Sequence, residues 1–302
     1  MKLRPSLLSS LRYVSLAYNA LNALLDPLLV FGCGLGVAGA ALATALSEAV
    51  GGAVFVALLM RRGLLRAAAL RRPPALATLV PLLSGGAVMQ VRTLALNGAF
   101  ASATRAAQAL DASGVLAAAY SVTQQLSLLG SIVLFALQSS AATLVPAERG
   151  RALARGGDGA AAARRVADRL FAWGALLGVA LAAAQLLSLP LLGAFSSLPA
   201  VCRAARAPAV IAAADKLCLG PVLAGEGVMI GLGSFGALAA QTALGAGAMV
   251  ATLRQAARRG WGLEGIFCAI AVFNVVQLAG VLRHHLSTGP LAREARAARG
   301  GE

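Results

Sequence analysis

The chain has 302 residues, of which 59% are hydrophobic and only 12% are charged, and its mean hydropathy is +0.80. This balance excludes an ordinary soluble domain and indicates a membrane protein. The formal net charge of +15 comes almost entirely from arginine, because only Lys2 and Lys216 are lysines. The arginines stand between apolar stretches, as in the loops of membrane proteins. A nucleic-acid-binding face would instead gather them on one surface, so we expect no nucleic-acid partner.

Apolar stretches of about 20 residues fill most of the sequence, and a hydrocarbon core about 30 Å thick needs about that many residues per helix. We therefore predict an all-α integral membrane protein with about eight transmembrane helices in the lipid bilayer. The predicted spans lie at 13–31, 37–60, 76–100, 114–137, 170–195, 207–225, 234–253 and 263–282. The third contains Ser84-Gly85-Gly86 and the sixth is followed by Gly225-Glu226-Gly227, which predicts broken helices at both places.

Loop arginines predict how the spans are oriented. The loops at 61–72 and 147–169 are rich in arginine, as are the N-terminal segment and the C-terminal tail, whereas the loop at 32–36 is uncharged. Because of the positive-inside bias, we expect the basic segments to face the cytoplasm or its topological equivalent. Three arginines within 254–259 fall on the opposite side in this arrangement and depart from the rule.

A polar cluster near the end of the first span is a candidate site. A carboxylate near the bilayer centre costs about 2.5 to 3.5 kcal/mol and is retained mostly where it faces a cavity, a partner or a proton path. Asn22 and Asp26 are four residues apart, so they share a helix face and Asn22 can orient Asp26. Pro27 frees a backbone carbonyl, because proline has no N–H group to donate to it. The alternative is that the span ends earlier and both side chains are polar caps at the interface.

One glycine pattern occurs twice. The segment GLGVAG at 34–39 precedes the second span, and GWGLEG at 260–265 precedes the eighth, 226 residues later. Internal repeats are common in transporters, and six spans fit in one such period. We therefore predict that residues 1–75 hold the last two helices of an N-terminal lobe, and that 76–302 form a six-helix C-terminal lobe with a basic tail. The alternative is a chance alignment among the 34 glycines of the chain.

Four segments resemble helices five to eight of the multidrug and toxin extrusion (MATE) transporters, and the last two are most similar to the DinF-like and plant plastid-type members. These segments are NALLDPLLVF at 22–31, GLGVAGAALAT at 34–44, Ser84-Gly85-Gly86 with Arg92-Thr93, and AAYSV at 118–122 with Gln125-Leu126. The resemblance covers about residues 13–285. It implies a fold of twelve helices in two six-helix lobes, with the first four helices lacking here, and a plastid membrane as the location. We accordingly expect coding sequence for four further spans upstream of Met1.

The resemblance also implies a mechanism. In the family, an Asn and an Asp on the fifth helix and a Thr on the sixth form a cation site together with a carboxylate on the first helix. The matching residues here are Asn22, Asp26 and Thr44. Asp26 is then expected to bind and release H⁺ or Na⁺ as the coupling ion, and no other cofactor is expected.

The second lobe departs further from the family pattern. Glu226-Gly227 resembles the acidic D-G motif of the tenth helix with Glu in place of Asp, and the alternative is a loop carboxylate. Phe135, Tyr120 and Ser234 replace residues that plastid-type members usually carry as Asp, His and Asp. Glu226 is one of four residues expected to line a cavity. The other three are Arg92, Gln90 and Gln125.

An arginine in mid-span is expensive in lipid, so we expect Arg92 to face the cavity or to pair with a carboxylate or with carbonyls. The alternative is an arginine that snorkels to the interface. The glutamines have an alternative role in hydrogen bonds between helices.

The predicted function is secondary active transport, in which an antiporter exports small organic solutes or cations, including xenobiotics, in exchange for H⁺ or Na⁺. A flippase for a lipid-linked substrate is the alternative within the same superfamily. A truncated membrane protein that does not transport is the alternative outside it. An enzyme is not expected, because the sequence has no nucleophile and base pair, no metal-ligand spacing and no phosphate-binding loop.

Overall fold

A computed structural model describes residues 5–65 and 75–300, and in this part of the chain the secondary structure is helical, without strands. Eight of the described helices are long and apolar enough to cross a membrane. This confirms the prediction of an all-α membrane protein with about eight spans. Several basic residues of the orientation argument lie outside the described residues, namely Lys2, Arg4, Arg66, Arg71 and Arg72.

The helices follow one another with short connections. Helix α1 comprises Pro5–Pro27 and continues as a π-helical turn, Leu28–Gly32. The other helices are α2 (Gly36–Arg61), α3 (Leu76–Gln108), α4 (Val115–Ala154), α5 (Gly159–Leu187), α6 (Pro199–Gly231), α7 (Phe235–Arg259), α8 (Gly262–Arg283) and α9 (Pro290–Gly300). A 3₁₀ turn, Leu189–Ala194, follows α5, and a π-helical turn, His284–Thr288, joins α8 to α9.

The chain divides into two compact units, Met1–Leu79 and Val80–Glu302, and the lobe boundary at residue 75 stays a prediction. In the first unit, α1 and α2 form a hairpin. The buried residues of α2 are the small residues Gly39, Ala43, Ser47 and Gly51, spaced four apart on one face. A Cβ atom on Gly51 would lie only 3.1 Å from Tyr18. Small side chains thus let the two helix backbones approach, as in other membrane helix pairs.

The second unit has its main core between α3, α4, α6, α7 and α8. Alanines supply much of this core, and larger residues such as Met249, Phe267 and Phe273 fill it. Helices α5 and α6 approach most closely where Gly174 faces Gly220, and a Cβ atom on either glycine would overlap the backbone of the other helix. Close helix packing through glycine and alanine replaces the hydrophobic driving force, which is weak between helices in lipid.

The two predicted helix breaks are wrong. Helix α3 runs without interruption through Ser84-Gly85-Gly86, and α6 continues past Gly225-Glu226-Gly227 to Gly231. The glycines beside Glu226 serve close packing instead. A Cβ atom on Gly225 would lie 2.7 Å from Val281 Cβ, and one on Gly227 would lie 2.7 Å from Ala141 Cβ. The alternative of Glu226 as a loop carboxylate is therefore also wrong.

Helix α4 is longer than its predicted span, 114–137, because it extends to Ala154. The basic segment 147–169 is therefore mostly helical, and its turn is confined to 155–158. Asp158 ends this turn as the N-cap of α5, because its carboxylate accepts hydrogen bonds from the backbone N–H groups of Ala160 and Ala161. The polar composition of 147–154 thus marks the end of a long helix rather than a loop.

Candidate functional site

The centre of the second unit holds a buried ion pair. Arg92 of α3 donates from Nη2 to Glu226 Oε2 of α6 at 2.7 Å, and the two side chains are only 13% and 5% exposed. Gln138 of α4 donates to the same carboxylate oxygen at 2.8 Å, and Gln277 of α8 donates to Oε1 at 3.0 Å. Both oxygens of Glu226 therefore accept hydrogen bonds, as a buried carboxylate requires.

Thr242 of α7 extends this network. Its Oγ1 accepts from Arg92 Nε at 3.1 Å and from Gln277 Nε2 at 3.3 Å, while its hydroxyl donates to Leu238 O at 2.9 Å. Five helices, α3, α4, α6, α7 and α8, thus each contribute one side chain to a single polar cluster. Such a cluster positions Arg92 away from lipid, where an unpaired arginine would be costly.

A second pair of ionisable residues lies 10 and 11 positions before Glu226 on α6. Asn274 of α8 donates to Asp215 Oδ2 at 2.7 Å. Lys216 is 1% exposed and donates to the carbonyl of Ser127 at 2.7 Å and to Ser131 Oγ at 2.6 Å, both on α4. Consecutive residues of a helix point about 100° apart. Asp215 and Lys216 therefore reach different neighbouring helices, α8 and α4.

Both pairs line one cavity of about 470 Å³ within the second unit. Its polar lining includes Arg92 and Glu226 at one place and Asp215 and Lys216 at another. The remaining wall is largely apolar and includes Leu96, Phe100, Leu128, Phe135, Leu223 and Phe273. A largely apolar pocket with a few convergent polar groups is the usual form of a small-molecule site.

Three of the four predicted cavity residues line this cavity. Arg92, Glu226 and Gln125 line this cavity, and Gln124 lines it as well. Gln90 is exposed on α3 and is not among the described residues that line the cavity. Phe135, at one of the positions that depart from the family pattern, forms part of its apolar wall.

The other two departures from the family pattern have packing roles. Tyr120 lies against Phe267, with ring centroids 5.7 Å apart. Ser234 Oγ lies 2.9 Å from His284 Nε2, within hydrogen-bond distance. Neither residue lines the cavity, as far as the structure describes the chain.

In the first unit, the structure brings two of the three predicted cation ligands together. Asn22 Nδ2 donates to Thr44 Oγ1 at 3.5 Å, which is long for a hydrogen bond. Asp26 is half-buried, and its Oδ1 is a buried atom without a hydrogen-bond partner in the described part of the chain. The helix does not end at Asp26 but continues through Pro27 into the π-helical turn, so Asn22 and Asp26 do not cap a helix end.

Sequence reasoning missed Asp215 and Lys216 as site residues, although a signal for both was present. They lie in the middle of a predicted span, and ionisable residues within a membrane helix are functional candidates by default. It also missed Gln138, Asn274 and Gln277, because a polar residue in a span does not reveal which partner it meets. No group of three or more His, Cys, Asp or Glu within the described ranges is arranged to hold a metal ion.

Comparison with known proteins points to one fold. No protein-family model and no curated protein matches the chain. Among solved structures, the Vibrio cholerae MATE transporter VcmN, crystallised as a point mutant, is 18% identical with a TM-score of 0.77, and the match covers 93% of this chain and 63% of that one.

Two further structures agree. A MATE protein in the bent conformation is 17% identical with a TM-score of 0.76, and the match covers 94% of this chain and 62% of that chain. An outward-facing multidrug resistance MATE transporter of the MOP superfamily is 18% identical with a TM-score of 0.74, over 93% of this chain and 63% of that chain. The chain thus spans less than two thirds of the length of the structures it matches. Identities this low establish the fold alone, and the chain is an integral multi-pass membrane protein with the helical fold of MATE transporters.

Proposed function

We propose that this protein is a secondary transporter that moves small organic solutes or cations across a membrane in exchange for H⁺ or Na⁺. The observation that carries the proposal is the cavity of about 470 Å³ in the second unit, which combines an apolar wall with two pairs of ionisable residues inside membrane-spanning helices. Intramembrane charges that line a cavity mark substrate and ion pathways in transporters. Two of the matched proteins are described as MATE transporters, which supports the same function.

The coupling ion is proposed to bind in the first unit at Asn22, Asp26 and Thr44. The unpartnered oxygen of Asp26 supports this role, because a carboxylate oxygen without a protein donor is free to take up a proton or to ligate Na⁺. In the second unit, both oxygens of the Glu226 carboxylate already accept hydrogen bonds, from Arg92, Gln138 and Gln277. We therefore assign Glu226 the role of joining the helices around the cavity and not that of binding the coupling ion.

Membership of the DinF-like and plastid-type branch, and with it a plastid membrane as the location, is part of the proposal and rests on the sequence resemblance. Imaging of a fluorescent fusion to the C-terminus in plant cells tests the location. Fluorescence in the chloroplast envelope or in thylakoids supports the branch assignment. Fluorescence confined to the plasma membrane contradicts it.

Reconstitution of the chain into liposomes tests the function. An imposed proton or Na⁺ gradient should drive movement of an organic cation such as ethidium well above the rate of protein-free liposomes. Glu226→Gln should reduce that rate by disturbing the cavity. The matched control Glu264→Gln, at an exposed position in the first turn of α8, should not. Movement no faster than in protein-free liposomes, under either gradient, would favour a membrane protein that does not transport.

A further inference from the structure

The charges in the second-unit cavity fall into two kinds. Arg92 and Glu226 neutralise each other through a direct ion pair, and Gln138, Gln277 and Thr242 add further hydrogen bonds to it. This pair offers little to a charged ligand group, because its two charges already compensate each other within the protein. The groups left over are the carboxylate of Asp215 and the ammonium of Lys216, which also line the cavity.

Asp215 retains capacity to bind a donor. One carboxylate oxygen accepts from Asn274, whereas Oδ1 is buried and has no hydrogen-bond partner among the described residues. A buried acceptor without a donor costs about 1 to 3 kcal/mol, more when it is charged. A ligand with an N–H donor, and above all an ammonium group, would satisfy this oxygen.

Lys216 retains capacity to bind an acceptor. An ammonium group has three N–H donors, and Lys216 uses two of them, toward the carbonyl of Ser127 and the hydroxyl of Ser131. Both partners are neutral, and no carboxylate lies within ion-pair distance of Lys216 in the part of the chain that the structure describes. The free donor capacity therefore suits an anionic group.

These two groups lie toward different walls of one cavity, Asp215 toward α8 and Lys216 toward α4. We infer that the cavity binds amphoteric organic solutes, with the ammonium group of the solute at Asp215 and its carboxylate at Lys216. The inference deepens the proposed transport function and rests on it. Phe100, Phe135 and Phe273 in the wall suit an apolar or aromatic body on the same solute.

Charge balance favours such a solute over a simple cation or anion. The four ionisable groups that line the cavity sum to zero formal charge, with two cations and two anions. A ligand with a net charge would carry an uncompensated charge into a region of low dielectric constant. An amphoteric ligand adds one charge of each sign and pairs both.

Three probes that share a phenyl group test this inference. L-phenylalanine carries both charges, phenethylamine carries only the ammonium, and 3-phenylpropionate carries only the carboxylate. Binding to the purified chain in lipid nanodiscs is measured by equilibrium dialysis with radiolabelled probes. We expect L-phenylalanine to bind at least about tenfold more tightly than either of the other probes, since each loses one charge-assisted contact.

Each single substitution should abolish one preference rather than weaken the binding of all three probes equally. Asp215→Asn leaves Lys216 in place, so it should lose the preference for L-phenylalanine over 3-phenylpropionate. Lys216→Met leaves Asp215 in place and should lose the preference over phenethylamine. The controls Glu264→Gln and Arg258→Met remove exposed charges outside the cavity and should leave all three affinities unchanged.

Three results would overturn the inference: no binding of any probe, equal affinity of the wild-type chain for phenethylamine and L-phenylalanine, or equal effects of Asp215→Asn on all three probes. Liposome transport separates this outcome from failure of the proposed function. Gradient-driven ethidium movement without amphoteric preference overturns only the present inference. L-phenylalanine binding with the expected selectivity, but without transport of any solute, overturns only the proposed function.

Discussion

The hairpin of α1 and α2 and the hairpin of α7 and α8 enter their second helix through the same backbone conformation. Gly34 and Gly36 have φ values of 66° and 53°, and Gly260 and Gly262 have values of 65° and 61°. This left-handed region is accessible to glycine at little cost. The match in conformation at a spacing of 226 residues supports a structural repeat over a chance alignment of glycines.

The third glycine of each pattern is also equivalent. A Cβ atom on Gly39 would lie 2.7 Å from the carbonyl oxygen of Leu29, and one on Gly265 would lie 2.7 Å from Ala256 Cβ. In both hairpins the helix therefore begins against the segment that precedes the turn. The glycine pattern has the same physical cause in each half, namely close approach of the helix start to the preceding segment.

The polar residues do not follow the repeat. Asn22, Asp26 and Thr44 correspond, 226 residues later, to Ala248, Thr252 and Ile270. In the second unit, the ionisable residues that line the cavity lie instead on α3 and α6. The two units thus share a hairpin architecture while differing in where ionisable groups lie. Asp26 has an oxygen without a partner, whereas both oxygens of Glu226 have one.

The largest expected effect concerns the buried ion pair of the second unit. Arg92→Met leaves the Glu226 carboxylate buried without its counter-charge, so we expect the free energy of unfolding to fall by about 3 to 5 kcal/mol. Denaturant unfolding of the purified protein in detergent measures it. The control Arg149→Met breaks a partly exposed pair with Glu294 and should cost at most about 1 kcal/mol.

The double substitution Arg92→Met with Glu226→Met provides the internal check on this prediction. Removal of both charges should recover most of the lost stability, because no uncompensated charge then remains. If the double variant is as unstable as Arg92→Met alone, packing rather than charge controls stability at this position.

A smaller effect is expected at the third glycine of each hairpin. Gly39→Ala and Gly265→Ala should each lower the free energy of unfolding by about 1 to 3 kcal/mol, because the added methyl group overlaps neighbouring atoms. Gly52→Ala and Gly247→Ala place the methyl group in open space and should be neutral or slightly stabilising. A large effect in only one hairpin would argue against equivalent roles of the two glycine patterns.

Asp26→Asn should separate stability from function. Because Asp26 Oδ1 makes no hydrogen bond, we expect the free energy of unfolding to change by less than about 1 kcal/mol. Ion dependence of transport should nevertheless be lost, because an amide neither releases a proton nor ligates Na⁺ as strongly. Gradient-driven export from vesicles measures this. Wild-type rates with the same pH and Na⁺ dependence would contradict the assignment of a cation site to Asn22, Asp26 and Thr44.

The smallest expected loss of stability is at Thr44, and Thr242 of the second unit serves as its comparison. Thr44→Val removes a single contact with Asn22 at 3.5 Å and should cost less than about 0.5 kcal/mol. Thr242→Val removes an oxygen that accepts from both Arg92 and Gln277 and should cost about 1 to 3 kcal/mol more. Thermal unfolding of the two variants side by side distinguishes these values, and equal shifts would mean that the two polar clusters are equally important for stability.

The sequence by itself determined the class of protein and the number of spans, and it contains the glycines of both turns. Span length follows from bilayer thickness, and the turn glycines follow from local backbone sterics, so neither depends on distant residues. The need of Arg92 for a partner was predictable in the same way, because the cost of a charge in lipid is a property of the residue and its depth.

The tertiary structure alone decided which residues meet. In the sequence, Gly225 and Gly227 suggested a helix break. They nevertheless lie inside α6, where the absence of their side chains lets neighbouring helices approach. The pairing of Glu226 with Arg92 depends on a contact between residues more than 50 positions apart, and so do the different partner helices of Asp215 and Lys216. Local patterns carry no information on such contacts, because the rotation and packing of each membrane helix are set by its neighbours.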